Sequence, residues 1–403
     1  MKYDVLIVGG GAAGFFTAIN VAENAPKLKI AILERGKEVL SKVRVSGGGR
    51  CNVTHAEFIP NELSKNYPRG EKELKGPFHT FMTGDTMDWF DRRGVALKIE
   101  EDGRIFPVSD SSATIIDCFL SEAKRRNIEI LKNHAVKNFY LKDSEWVVQT
   151  SQGNFVAAKL MIATGSNPKI WKHLQDLGHE TLNAVPSLFT FNSKDSRIKD
   201  LPGVVTNSAI KVKGSKLSAE GPLLITHWGM SGPAILKLSA WGAIELHAKE
   251  YNFEIVINWL QYHTQQEALD MLGTLKETSP KQQIYTYAQF ELPKRLWQSL
   301  VLASGIEKNT RWADVNKSQL NALSQQLTQG VFKIKGKSTF KEEFVTAGGI
   351  DLKEVNFKTF ESKKYKNLYF AGEVLNIDAI TGGFNFQNAW TGAFIAAQAI
   401  TSE

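Results

Sequence analysis

Cysteine is scarce: two residues in 403, Cys51 and Cys118, lying far apart. That excludes a disulfide framework and a local dithiol pair, and it fits a reducing compartment, so a cytoplasmic location is expected. No run of eighteen apolar residues occurs, and no membrane span is expected. The apolar stretch near the N-terminus is interrupted by Asp4 and lacks a small-residue cleavage site, so it reads as structure rather than a leader. Long blocks of one charge are also missing, although the formal net charge is +7 and the pI about 9.1. The basic residues are dispersed, the densest groups being Lys124-Arg125-Arg126 and Lys363-Lys364-Tyr365-Lys366. A solvated surface is expected there rather than a nucleic-acid groove, while the net charge keeps an acidic partner open. No cluster with metal-ligand spacing is present, and no metal site is expected.

Glycine, by contrast, is placed with purpose. Val5–Val8 form an apolar run suited to a strand buried on both faces. Gly9, Gly11 and Gly14 follow in the spacing G-x-G-x-x-G, serving in turn a tight turn, backbone approach to a pyrophosphate, and helix–strand packing. From Ala12 and Ala13 to about Asn24 the pattern is helical, and the N-terminus of that helix would face a phosphate. Leu28–Leu33 read as the next strand, ended by Glu34 and Arg35. A carboxylate about twenty residues beyond the last glycine accepts ribose hydroxyls and repels a 2′-phosphate, which points to FAD or NAD rather than NADP.

Further along, Val45–Thr54 contains three successive glycines flanked by Ser46, Arg50, Cys51 and Asn52. Such a loop can lie flat against a ligand while its polar residues grip phosphate or ring heteroatoms. Cys51 itself is expected to be a small packing residue rather than a redox thiol. Helices are expected at Asp85–Arg93 and Ser112–Arg126, with a hairpin over Ala96–Pro107 between them. A third sheet strand (Ile128–Leu131) precedes a β-meander (Ala135–Leu141, Trp146–Thr150, Asn154–Ala157). A separate short strand, Lys159–Ala163, then feeds Thr164-Gly165, where the backbone can approach the dinucleotide from the opposite side.

Pro186–Ile257 alternates short apolar stretches with Gly, Asn, Ser and Lys, suggesting a β-rich insertion. Within it, Gly221–Ala234 contains His227, a weak catalytic candidate better read as a structural hydrogen-bonding residue. Thr264–Gln329 is helical in pattern, with candidate helices Gln265–Lys276, Lys281–Gln289, Lys294–Ala303 and Lys317–Leu327. Near the C-terminus, Leu368–Ala371 read as a last buried strand ending at Gly372-Glu373, followed by Asp378 and the turn Gly382-Gly383-Phe384-Asn385. That turn opens a helix whose N-terminus would face an electron-rich group, such as the flavin C2 carbonyl and N1.

Together these stretches resemble the bacterial flavoprotein family of BaiN-type oxidoreductases and aminoacetone oxidase, over essentially the whole chain. The most specific pieces are Ser46–Asn52, Thr226–Pro233, Thr346–Gly349, and Ala371–Glu373 with Gly382–Asn385. Two positions depart from the family pattern: Ser166 stands where glycine is common, and Asn388 replaces a bulkier residue. The resemblance implies an α/β fold and one FAD in a split Rossmann-type domain (1–186 and 345–403). It also implies an inserted β-barrel-like part (187–262 and 330–344) and a small helical part (263–329).

The Ala163-Thr164-Gly165 return and the C-terminal turn favour FAD over NAD. The absence of a second G-x-G-x-x-G leaves NAD(P)H, if it is the reductant, to dock over the flavin. In this reading Gly9–Gly14 cradle the pyrophosphate, Glu34 holds the ribose and Val136 meets adenine through its backbone. Glu373 or Asp378 sits near the ribityl-phosphate end, with Arg50 and Asn52 beside the isoalloxazine. The expected activity is hydride transfer between flavin N5 and a small organic substrate or NAD(P)H. A flavin-dependent RNA-modifying enzyme and a flavin redox sensor acting on a protein partner are the alternatives.

Overall fold

The computed structural model describes residues 1–338 and 345–402. Two compact units result, Met1–Pro186 with Lys341–Glu403, and Ser187–Phe340. The return boundary read from the sequence at residue 344 lies outside the described residues.

In the first unit, five parallel strands form the centre of the sheet: β1 (Lys2–Val8), β2 (Ile30–Leu33), β3 (Glu129–Leu131), β4 (Gly153–Ile162) and β5 (Leu368–Phe370). Their spatial order is β5-β4-β1-β2-β3, a Rossmann arrangement that places the strand-order reversal between β1 and β4. Val5 to Val8 are buried and register with Ile30 to Leu33 on one side and Lys159 to Ile162 on the other. Strand β4 corrects the sequence reading, which divided it into a meander strand and a separate strand. No turn residue interrupts Ala158-Lys159, and the Lys159 ammonium reaches the Ile400 carbonyl at 2.6 Å, so the charge does not break the strand. The first half of β4 pairs antiparallel with Glu145–Thr150, and the second half is enclosed by β1 and β5.

Helix α1 (Ala12–Asn24) packs with the C-terminal helix (Phe384–Thr401) around an aromatic cluster. Phe16 lies 4.4 Å from Trp89 and 5.1 Å from Trp390, ring centre to ring centre. Each such pair adds roughly 0.5–1.5 kcal/mol beyond the area it buries. Gly392 allows the helix to approach Phe360, where a Cβ would come within 2.8 Å of the ring. The helices Pro60–Ser64 and Glu71–Thr80 carry little apolar periodicity, the latter with Pro77 inside it, and the sequence reading missed both.

The second unit is built on an antiparallel sheet of seven strands. The ends of its path, Gly330–Lys335 and Lys337–Ser338, are joined by Gly336 alone, so the sheet curls back on itself. Helices Gln265–Thr278, Lys294–Ala303 and Lys317–Thr328 share one apolar core with these strands. The helix expected over Lys281–Gln289 is not formed. Ile284 instead donates its N–H to Thr310 and accepts the Trp297 indole N–H at 2.7 Å, so tertiary bonds take the groups a helix would use.

The strands Thr181–Pro186 and Thr346–Ile350 pair antiparallel, carrying the chain out to the second unit and back. At the base of this ribbon His179 is buried, with Nδ1 2.6 Å from the Glu354 carboxylate and Nε2 3.4 Å from the Ser362 hydroxyl. Lys364 pairs with the other Glu354 oxygen at 2.6 Å. Burial holds the imidazole below its ordinary value of 6.5, outweighing the nearby carboxylate, so the ring is neutral with Nδ1–H donating. Burial opposes the Glu354 carboxylate, but Lys364, a backbone N–H and His179 outweigh it and hold it below 4.5. Both groups therefore bind protons more readily in the unfolded chain. Their stabilisation is present near neutrality and is lost as pH falls, first below about 6.5 for the histidine. Urea denaturation at pH 7.5 and 5.5 should show the wild-type protein losing stability on acidification and His179→Gln losing measurably less; equal losses would refute this role for His179.

Candidate functional site

The carboxyl edge of the parallel sheet carries the first half of the site. Gly9 has φ +115°, and a Cβ there would lie 2.3 Å from the Ala163 carbonyl oxygen. A Cβ on Gly14 would lie 1.9 Å from the Gly9 carbonyl oxygen. These two glycines are thus required by packing, whereas a Cβ on Gly11 would meet nothing within 4 Å. No side chain caps α1 at Gly11 and no acid occupies its first turn, which includes Ala12 and Ala13, so its N–H groups and positive dipole end suit an anion.

Glu34 is anchored rather than mobile: one carboxylate oxygen accepts the Gly10 N–H at 3.0 Å and the other the Gly36 N–H at 2.8 Å. A carboxylate has about four acceptor positions, leaving two for a diol. Beside it lies a cavity of about 720 Å³ whose walls include Gly9, Glu34, Arg35, Val136 and Thr164. The Thr164 hydroxyl is buried with no hydrogen-bond partner, a cost of about 1–3 kcal/mol unless a ligand satisfies it. The cradle, the anchored carboxylate and this orphan hydroxyl fit the adenosine diphosphate half of FAD. Ala163 donates its N–H to Val8 and so holds the return loop, with Gly165, against β1.

The second half is built around residues 46–55. The helix Ser41–Gly49 is broken internally at Ser46, Gly47 and Gly48, the two glycines with positive φ. Cys51 is buried, and burial pushes its thiol up to about 12, so it supplies no thiolate. Arg50 does not present an uncommitted guanidinium: it stacks on Phe106 at 3.9 Å and pairs with Glu100 at 2.6 Å and Asp110 at 3.4 Å. These contacts bind the loop to the neighbouring hairpin. The Asn52 amide, oriented by its neighbours, donates to the Thr54 and Ile105 carbonyls and accepts the Gly383 N–H at 3.0 Å.

Following β5, Gly372 has φ +75° and Glu373 pairs with Lys42 at 2.5 Å. Lys42 had no signal in the sequence, because nothing in the spacing links residues 331 positions apart. Asp378 is fully buried and clasped by both arms of Arg69, so its carboxylate fixes the loop instead of facing a ribityl chain. The Asn385 side chain accepts from Ala379 N–H at 3.0 Å and donates to its carbonyl, which likewise commits it to the loop. Gly383 (φ +96°) opens the C-terminal helix without a side-chain cap, and Phe384 begins its first turn. His227 stands exposed in the two-residue turn between strands Ser218–Thr226 and Gly229–Ser231 of the second unit.

This geometry defines a Rossmann-type FAD-binding protein. The HI0933-like protein Rossmann domain matches residues 3–399, and the chain belongs to that family of FAD-dependent oxidoreductases. A ribosomal RNA dihydrouridine synthase from Haemophilus influenzae is 28% identical, over 99% of this chain and 98% of that protein. A 3-dehydro-bile acid delta(4,6)-reductase from Clostridium scindens is 25% identical, over 98% of each. Among solved structures, the 3-ketosteroid-delta4-(5alpha)-dehydrogenase from Rhodococcus jostii RHA1 matches with a TM-score of 0.52 at 12% identity, over 100% of this chain and 97% of that one. That likeness concerns the fold alone.

The glycine geometry separates two substitutions. Gly14→Ala should destabilise the protein strongly, since its Cβ has no room, and should lower the melting temperature even without cofactor. Gly11→Ala should leave the apoprotein's melting temperature within a degree or two and reduce the FAD retained per chain. Melting curves and flavin absorbance on both variants check this pair, and a Gly11→Ala protein with full flavin content would contradict the assigned cradle.

Proposed function

We propose that the protein is an FAD-dependent reductase acting on a carbon–carbon double bond conjugated to a carbonyl, with NAD(P)H as the electron source. The observation that carries this reading is the pair of uncapped helix N-termini, α1 and the C-terminal helix, in one unit whose glycine turns match an FAD cradle. Bound FAD supplies a two-electron hydride carrier at N5. Gly9–Gly14 and α1 bind the pyrophosphate, Glu34 the ribose, and the Val136 segment the adenine. Glu373, neutralised by Lys42, sits at the ribityl end without repelling the phosphates. The first-turn N–H groups of the C-terminal helix face the pyrimidine edge of the ring. The relatives support the substrate class: a delta(4,6)-reductase and a dihydrouridine synthase both saturate a carbon–carbon bond in conjugation with a carbonyl. The substrate gains a hydride and a proton, and NAD(P)H becomes NAD(P)⁺.

A second reading keeps this chemistry and places the double bond in a uracil base of RNA. It is favoured by the charge distribution. Ser187–Phe340 holds 18 lysines and arginines against 12 aspartates and glutamates, which is +6 of the chain's +7. Dispersed lysines on a single inserted unit can contribute salt-dependent binding of a polyanion.

The purified protein should be yellow. Anaerobic stopped-flow mixing with NADH and with NADPH should bleach the flavin, and a conjugated enone or uridine-containing RNA should restore it. A protein that cannot be loaded with FAD, or whose flavin no unsaturated acceptor reoxidises, would sink the proposal. Salt-sensitive RNA binding together with RNA-driven reoxidation would select the second reading, and indifference to RNA the first.

A further inference from the structure

We propose that Asn52 and His55 are positioning residues that set the reduction potential of the bound flavin by fixing the turn that opens the C-terminal helix. The inference rests on the FAD reading above. Four consecutive residues grip four different groups of the segment 382–390. Asn52 accepts the Gly383 N–H at 3.0 Å, and the Val53 carbonyl accepts the Trp390 indole N–H at 2.9 Å. The Thr54 hydroxyl donates to the Gln387 side-chain oxygen at 2.6 Å, and His55 Nδ1 lies 3.1 Å from the Gly382 carbonyl. The middle two hold the body of the helix, whereas the outer two hold the peptide units at its N-cap.

Those N-cap bonds have a directional consequence. The Gly383 N–H is taken by Asn52, so the first-turn donors that remain for a ligand are those of Phe384, Asn385 and Phe386. Their direction follows from the Gly382-Gly383 peptide, which has no slack: a Cβ on Gly383 would lie 2.5 Å from the Thr54 carbonyl oxygen. The imidazole of His55 is fixed in turn. Its ring stacks on Phe384 at 4.5 Å with planes 28° apart, and on its other side a Cβ on Gly103 would lie 2.7 Å from Nε2. Carbonyl acceptance from Nδ1 requires the proton on that nitrogen.

A helix N-terminus carries about half a positive charge, and its benefit to a negative group depends on donors already oriented when the charge develops. Reduction adds negative charge at the pyrimidine edge of a flavin. Removing either N-cap bond lets the turn relax, which weakens the reduced form more than the oxidised form.

Asn52→Ala, His55→Ala and His55→Gln, loaded with FAD, are compared with wild type by anaerobic spectroelectrochemical titration, alongside FAD dissociation constants. Each alanine variant should lower the two-electron potential by about 30 mV, equivalent to a tenfold loss in the relative stability of the reduced form. His55→Gln retains a donor for Gly382 and should recover most of that loss. Potentials equal to wild type in the alanine variants would overturn the inference while leaving the FAD reading intact, as would a glutamine variant as low as alanine. Should His55→Ala fail to fold, Asn52→Ala against wild type decides the same question. Wild-type protein that takes up no FAD would overturn both.

Discussion

Everything in the first unit depends on a close approach of three pieces of backbone. Gly9 lies against the Ala163 carbonyl and Gly14 against the Gly9 carbonyl, at distances that admit no Cβ. The approach seats α1 directly on the ends of β1 and β4 and aims its N–H groups past the sheet edge. Only because two of the glycines are consumed by packing is the third, Gly11, left facing open space. The same crowding explains why a phosphate site and a fold determinant coincide: any residue that spoils one spoils the other.

A comparable contact organises the opposite end of the site. The strand Thr54–His55 and the preceding Asn52 bind the Gly382-Gly383 turn residue by residue, while Tyr67 donates its hydroxyl to the Phe384 carbonyl at 2.6 Å. The buried side-chain network of Thr54, Thr86 and Gln387 leaves the Gln387 oxygen with two donors, at 2.6 and 3.0 Å. Fully partnered polar groups of this kind cost little and define one geometry, whereas a partly satisfied network would not. The arrangement makes the N-terminus of the C-terminal helix a rigid object, which electrostatic preorganisation requires. Arg50, Asp378 and Asn385 serve the same rigidity through their ion pairs and loop bonds, which is why their polar side chains are directed toward protein groups.

The reading of the nucleotide half from sequence succeeded because its signals are local. Val5–Val8, the three glycines and Glu34 sit within one short stretch, and each residue's task follows from its neighbours in the chain. The flavin half was only partly legible. Its glycine turns and the strand ending at Glu373 could be recognised, but Arg50 and Asp378 were assigned by residue type, and their partners Glu100 and Arg69 come from distant segments. Lys42 and His55 carried no signal at all. The helix expected over Lys281–Gln289 fails for a related reason: local periodicity is a weak force, and the bonds from Trp297 and Thr310 override it.

What the sequence determined by itself is the nucleotide-binding class of the chain, because a strand, three spaced glycines, a helix and a terminal acid can be read within one turn-to-turn unit. Tertiary structure alone decided which polar side chains remain available to a ligand. That choice depends on contacts between residues hundreds of positions apart, such as Asn52 with Gly383 and Lys42 with Glu373. Hydrogen-bonding capacity is finite, and a side chain spent on the protein cannot be spent on the cofactor. Spacing along a chain says nothing about where that capacity is used.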